Sequence, residues 1–471
     1  MKSPVVKIRP HCPNGKGKIQ AVALSKIARH DSRFVGQSAS GSSSVGSGGM
    51  GIVRGARAAL VLLLCINLFN YIDRQVLAAV VPEIQKQYLS GVADADAKTG
   101  WLAMAFMLSY MLTSPIFGIL ADRWSRWLLV AIGVILWSLA SGASGLAGTF
   151  GLLLVTRLFV GVGEAAYGPV APTIISDYYP IEHRGKVLSW FYMAIPVGSA
   201  LGYTLGGAVA SAWSWHWAFF IVVPPGIALG VWSLFMRDPP RGSADGGTKT
   251  VARAATWRDY LILLRTPSYI LNTLAMTAMT FAIGGIGFWM PKYVHDFRSV
   301  GTLSSVNMMF GVIVVVAGLS GTLLGGIAGD RLRERFPGSY FLVSAGGMLC
   351  GFPLFLLMLA TPFPYAWIVI FLAVFCLFFN TGPANTALAN VTHPSIRATA
   401  FAVNIFVIHA LGDAISPTVI GMITDRFDHN MNIGFLAVSG MMALGGVLWW
   451  WGARYLARDT ALASSSLQGL S

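Results

Sequence analysis

Residues 118–126 read GILADRWSR, and residues 326–335 read GIAGDRLRER. Each string closes a long apolar run, opens on glycine and carries Asp-Arg four residues later. The first follows the second apolar run of the chain and the second follows the eighth, so the motif returns after six runs. An internal repeat of six helices accounts for both spacing and position. The residue types suit such a turn: glycine lets a neighbouring helix approach, aspartate sits well near a helix N-terminus, and arginine reaches a phosphate or carboxylate. The candidate gating-loop residues are Gly118, Asp122, Arg123 and Arg126 in the first copy, and Asp330 and Arg331 in the second.

Working outward, the composition names the solvent. The 471 residues are 55% hydrophobic and 11% charged, against about 25% charged in an ordinary soluble domain. The chain is expected to be an all-α integral membrane protein. Apolar runs of about 20 residues, long enough to cross hydrocarbon, fall at 57–80, 99–120, 127–147, 150–177, 186–210, 217–236, 268–294, 303–329, 339–360, 366–391, 397–423 and 432–457. That makes twelve spans in two pseudo-symmetric halves, 57–236 and 268–458. The net charge of +14 raises the question of nucleic acid, but Lys and Arg lie in short blocks between apolar runs, not along one face, so no nucleic-acid partner is expected. With both termini assigned to the cytoplasm, 26 of the 33 Lys and Arg fall on that side, five outside, and Arg74 and Arg157 at membrane depth. This bias orients the chain as a multi-pass protein of the plasma membrane, the inner membrane in a bacterium.

The polar segments are connectors. Residues 1–56 are basic and run into SASGSSSVGSGGMG (38–51), which cannot bury a core and reads as a flexible cytoplasmic tail. Residues 237–267 read as a cytoplasmic linker and 459–471 as a C-terminal tail. Of four cysteines, Cys65, Cys350 and Cys376 lie in apolar runs and Cys12 in the tail, so neither a disulfide framework nor a metal site is expected.

The Gly-x-x-x-Asp-Arg turn resembles the loop signature of the major facilitator superfamily, with Ser125 where a second glycine is usual. The strings NYIDR (70–74), GEAAYGPVAPTIISDYY (163–179), FYMAIPVGSALGY (191–203), WHW (215–217), NTGPANTALANV (380–391) and RATAFAVNIFVIHALGDAISP (397–417) are together similar to the Spinster family. The resemblance runs from about Asn70 to Asp425. It implies the major facilitator fold and proton-linked transport of a lipid such as a lysophospholipid or sphingosine-1-phosphate.

The charges at depth carry a reading of their own. Asp73, Arg74, Arg157, Glu164 and Asp413 lie inside apolar runs. Each costs about 2.5–3.5 kcal/mol at a helix centre, so they must face an interior, and one another. Arg157 and Glu164, seven apart, share a helix face, with Gly161 and Gly163 between them to admit a neighbouring helix. Asp73 and Arg74 point about 100° apart, so one faces the cavity while the other holds a neighbour. Asp73 and Glu164 are the proton-coupling candidates, each neutralised by Arg74 or Arg157. Protonation would free a guanidinium to grip a substrate phosphate, and rocking of one half against the other would carry the guest across.

Arg74, Arg157, Tyr192, Asn380 and His409 are the candidate substrate contacts. His409 and Asp413, four apart, form a candidate polar pair on the eleventh span. Asn272, Asn307, Asn385 and Asn404 add amides at depth, while Tyr167, Tyr203, Phe281 and Trp289 add aromatic bulk. WSWHW (213–217) reads as an outer-interface belt. GVGEAAYG (161–168) has a displaced third glycine and no preceding strand, so it is no dinucleotide loop. The chain carries neither a GxSxG elbow nor an HExxH pair. His183, His216, His295, His393 and His429 show no ligand spacing. No enzyme activity, metal or cofactor is therefore expected, with protons as the coupling ion. The expected partners are membrane lipids and a lipid or organic-anion substrate, and the molecule is expected to act as a monomer. The alternatives are a major facilitator carrier of another organic anion or drug, a membrane receptor, or an intramembrane hydrolase.

Overall fold

The computed structural model describes residues 55–241, 257–392 and 396–465. The tail expected over 1–56 lies outside them except for its last two residues, as do Cys12, His393, the middle of the linker and the last six residues. In chain order the helices are α1 (Ala56–Ala79), α2 (Val81–Tyr88), α3 (Ala95–Arg123), α4 (Arg126–Gly145), α5 (Phe150–Ala165), α6 (Ala171–Tyr178), α7 (Ile181–Ala212), α8 (Trp215–Phe220), α9 (Val223–Leu234), α10 (Trp257–Leu264), α11 (Pro267–Lys292), α12 (Leu303–Arg333), α13 (Ser339–Ala360), α14 (Ala366–Phe378), α15 (Thr381–Asn390), α16 (Arg397–Ile408), α17 (Ser416–Arg426) and α18 (Met431–Ser465). Short π-helical turns occupy Tyr293–Phe297 and His409–Asp413. The described residues are all-helical, without strands.

Eleven helical stretches among the described residues are long and apolar enough to cross a membrane. The twelfth expected span, 150–177, is present but divided: α5 ends at Ala165 and α6 starts at Ala171. Pro172 in the first turn of α6 explains the restart, since proline there gives up only an amide that the helix leaves unbonded. Pro224 and Pro417 stand at the same place in α9 and α17. The seams bring spans 4, 6 and 11 to a bend without ending them. Two expected boundaries move. The linker contains a helical turn, α10. The segment expected as a tail from 459 continues α18, with buried Asp459 accepting from the Ser268 amide at 2.9 Å at the start of α11.

The side-chain hydrogen bonds that join the first six spans to the last six gather at the end away from Ala56 and Ser465. Asn307 donates to the Ala79 carbonyl at 3.1 Å, Tyr203 to the Gly287 carbonyl at 2.5 Å, and the Asp96 and Ala97 amides donate to Asp425 at 3.0 and 2.7 Å. At the end carrying the chain ends, one core cluster, around Leu62, Trp127, Val160, Ile174 and Phe191, draws on the first six spans alone, and core residues such as Phe341, Leu388 and Leu456 serve the second half. The halves are sealed at one end and separately packed at the other. That arrangement places the charged residues of α1 and α5 on the chain-end side of the seal.

Candidate functional site

Arg74 of α1 and Glu164 of α5 form the centre of the site. Nε and Nη2 of Arg74 both reach Glu164 Oε2 at 2.7 Å. The carboxylate is fully buried, whereas the arginine side chain keeps 19% of its surface. Three rings surround the guanidinium: Phe106 at 4.9 Å, Tyr71 at 5.1 Å and Tyr110 at 5.2 Å. Ring faces attract a cation that has lost its water, so the cage holds Arg74 in place while part of its surface stays exposed. Glu164 Oε1 and Asn70 Nδ2 are buried beside each other, outside ordinary hydrogen-bond geometry.

Local packing fixes Glu164 there. A methyl group at Gly161 would lie 2.1 Å from Ser109 Oγ and 2.2 Å from the Phe106 carbonyl of α3, and one at Gly163 would lie 2.6 Å from the Trp137 amide of α4. The small residues before Glu164 let α5 press between α3 and α4. Glu164 is also the penultimate residue of α5, just before the seam to α6.

The expected sharing of Glu164 between two arginines is resolved in favour of Arg74. Arg157 makes no ion pair among the described residues. Its Nη2 donates to Ser144 Oγ, its guanidinium lies 5.1 Å from the Phe219 ring, and its Nε is buried without a partner. The seven-residue spacing does put Arg157 and Glu164 on one face, but two turns of rise keep them apart. Asp73 turns away from Arg74 and accepts a hydrogen bond from Ser141 of α4, with Oδ2 unpartnered. Adjacent residues on α1 thus serve different neighbours, Asp73 a hydroxyl of α4 and Arg74 the carboxylate of α5.

In the second half, His409 Nδ1 lies 3.0 Å from both carboxylate oxygens of Asp413, and the side chains are 33% and 20% exposed. The pair stands on the π-turn, not on a regular α-helix, and Gly412 of that turn packs against Thr280 and Phe281 of α11. Tyr192 is half-exposed, stacked edge-on against Phe191 and near Tyr110 of the cage. Asn380 is a correction: it is fully buried and donates to the Leu377 carbonyl at 2.8 Å, closing the joint between α14 and α15. It offers a guest no surface here. Asn272 and Asn307 likewise bridge helices, and Asn385 bonds back to Thr381. Tyr167, Tyr203 and Trp289 spend their polar atoms on the carbonyls of Leu63, Gly287 and Pro417.

The repeated loops differ from their expected use. A methyl group at Gly118 or Gly326 would meet nothing within 4 Å, so Gly118 admits no helix here, whereas the Gly326 backbone lies under Gly382 of α15, whose added methyl group would stand 3.3 Å from its Cα. The closer approach is at Gly325, whose added methyl group would lie 1.7 Å from the Phe379 carbonyl. Asp122 and Arg123 are exposed. Arg126 does the clamping: its Nη1 reaches Asp177 at 2.5 Å, its Nε reaches Asp238 at 3.1 Å, and Nη2 donates to the Pro239 carbonyl at 2.9 Å. Spans 3, 4 and 6 are thereby tied at one point. The second copy puts Glu334 in the position of Arg126, and Asp330 there accepts from Tyr340 at 2.9 Å while Arg331 stays exposed.

Residues 63–417 match the family model described as Major Facilitator Superfamily. Human Protein spinster homolog 1 is 37% identical, with 89% of this chain and 85% of that protein covered. The chain belongs to the Spinster family of the major facilitator superfamily. Among solved structures, a bacterial homolog to human lysosomal transporter Spinster, in an inward-facing and unoccupied conformation, superposes with a TM-score of 0.70 at 24% identity, over 88% of this chain and 98% of that one. A D-xylose–proton symporter superposes with a TM-score of 0.67 at 18% identity, over 83% and 96%. Both likenesses concern the fold.

Sequence reading of this Spinster protein left out a second polar centre at the sealed end. Asp73, Glu164 and Asp413 are the acids expected at depth; Asp96 is buried at the sealed end, and Asp177 and Asp459 are buried toward the opposite end. Asp96, at the start of α3, holds Lys292 of α11 and accepts from Gln85 at 2.8 Å. His429, expected to be unpaired, lies with Nδ1 3.0 Å from Asp96 Oδ2 and 3.2 Å from Asp425 Oδ1. The four-residue spacing of Asp425 and His429 was a usable signal; the approach of Asp96 from another span was not. Trp215, expected in an interface belt, is buried and donates to Gln87 at 2.7 Å, whereas Trp213 and Trp217 are exposed.

Proposed function

We propose that this Spinster protein is a proton-coupled secondary transporter that moves an amphiphilic anion, a lysophospholipid or sphingosine-1-phosphate-like lipid, by alternating access. The Arg74–Glu164 pair carries the reading. A fully buried carboxylate holds a partly exposed guanidinium, and its other oxygen lies beside the Asn70 amide. A proton on Glu164 weakens the pair, and Arg74 then meets a phosphate with the same two nitrogens. The cage of Tyr71, Phe106 and Tyr110 keeps the freed cation in place and gives an acyl chain an apolar wall. The sealed end with a separately packed opposite end supports one state of such a cycle. The excess of Lys and Arg on the side of the chain ends supports cytoplasmic termini and a plasma-membrane location, the inner membrane in a bacterium.

The test is uptake into proteoliposomes with and without a pH gradient. Wild type should respond to the gradient, and Glu164→Gln should lose that response while still exchanging substrate in counterflow. Full gradient-driven uptake by Glu164→Gln removes Glu164 from coupling. Counterflow with lysophospholipids, a sphingoid phosphate and hexuronates sets the substrate class; exchange of hexuronates alone would replace the lipid reading.

A further inference from the structure

The sealed end holds a group of side chains that the transport scheme does not use. His429 Nδ1, Asp96 Oδ2 and Asp425 Oδ1 lie within 4.8 Å of one another. The first half supplies Asp96 and the second supplies the other two. Asp96 and His429 stand on the wall of a cavity of about 640 Å³ that Gln85, Lys86, Lys292 and His295 also line.

We propose that Asp96, Asp425 and His429 form a binding site for a divalent transition-metal ion of the Zn²⁺ class, bridging the two halves at their sealed end. The nitrogen stands 3.0 and 3.2 Å from the two oxygens. Those separations suit neighbouring ligands around an ion with bonds of about 2.0–2.2 Å. One imidazole with two carboxylates selects a borderline ion over Mg²⁺ or Ca²⁺, which prefer all-oxygen surroundings. The carboxylates are held from behind: Gln85 and Lys292 occupy Asp96 Oδ1, and the Asp96 and Ala97 amides hold Asp425. Such outer contacts orient ligands and tighten metal binding. Two carboxylates face one lysine, which leaves negative charge for a cation to balance. The fourth position opens to the cavity, where water completes the shell. The bound ion displaces any proton from His429 Nδ1 and joins α3 to the end of α17.

The consequence for transport rests on the alternating-access reading, since opening the sealed end separates Asp96 from His429; the binding itself does not. The experiment titrates Zn²⁺ alone into the purified full-length protein, with metal counted after removal of free ion. His429→Asn is the informative variant. Asn tolerates the left-handed backbone that His429 adopts at φ 59°, and His429 stands in an exposed turn after α17. Loss of an outer-shell partner already weakens metal binding about 10–100-fold, so His429→Asn should weaken one Zn²⁺ equivalent at least about ten-fold. Equal stoichiometry and affinity in wild type and His429→Asn means an adventitious ion only and overturns the site. Zinc bound with the expected variant pattern, but without slowing of counterflow, leaves the site standing and overturns its place in the transport cycle.

Discussion

At the scale of single residues, the cavity edge depends on what Arg74 can do that lysine cannot. Two guanidinium nitrogens reach one oxygen of Glu164 while three rings lie about the planar group. Lysine supplies a point charge with neither fork nor plane. Arg74→Lys should therefore raise the half-saturating substrate concentration at least about ten-fold, the equivalent of about 1.4 kcal/mol, measured as initial uptake into proteoliposomes. A second residue-scale expectation concerns Asp73. Ser141 supplies its one hydrogen bond. Ser141→Ala leaves the buried carboxylate without a hydrogen bond and should lower stability by about 1–3 kcal/mol, read as a fall in the melting temperature of the detergent-solubilised protein. Arg74 and Glu164 were both legible in the sequence as charges too expensive to face lipid. Their pairing was not, because it joins residues 74 and 164 across two helices whose rotation only packing sets.

At the scale of elements, glycine marks where helices touch, and the motif that looks most like a contact is not one. Gly161→Ala would drive a methyl group to within 2.1 Å of Ser109 Oγ and 2.2 Å of a backbone carbonyl. A cost of about 1–3 kcal/mol is expected from overpacking, with uptake falling as Glu164 is displaced. Gly118→Ala meets nothing. It should leave the melting temperature unchanged or raise stability by up to about 1 kcal/mol from helix propensity. A Gly118→Ala protein that melts normally but transports slowly would place the contact of Gly118 in another state of the cycle. Helix positions themselves were readable from apolar length. The seams at 166–170 and 409–413 were not, although Pro172 and Pro417 signal a restart nearby.

At the scale of the whole molecule, two polar centres divide the work between tying and sealing. Arg126 ties spans 3, 4 and 6 within the first half through Asp177 and Asp238. Removing one member of a buried ion cluster strands the others, at about 3–5 kcal/mol. Arg126→Gln should accordingly lower the melting temperature far more than Arg123→Gln, whose side chain is exposed. Across the halves, Asp96 and Lys292 join α3 to α11 at the sealed end. Lys292→Gln should shift the resting population toward a state open at that end, detected as faster labelling of a cysteine placed near Ala97. Unchanged labelling would assign the seal to packing around Tyr203, Trp289 and Asn307 instead.

The sequence alone determined that the chain lives in hydrocarbon, crosses it as helices in a twofold repeat of six, and hides a few charges inside. Each of these follows from local quantities: apolar length, periodicity, charge placement and the cost of an unpaired ion in lipid. Only the tertiary structure decided that Glu164 holds Arg74 and not Arg157, that Arg126 and not Gly118 makes the motif's contact, and that Asp96, Lys292 and His429 meet at the seal. Those facts depend on the distance and rotation between helices far apart in the chain. Many packings are compatible with the same apolar stripes, and side-chain volume selects among them.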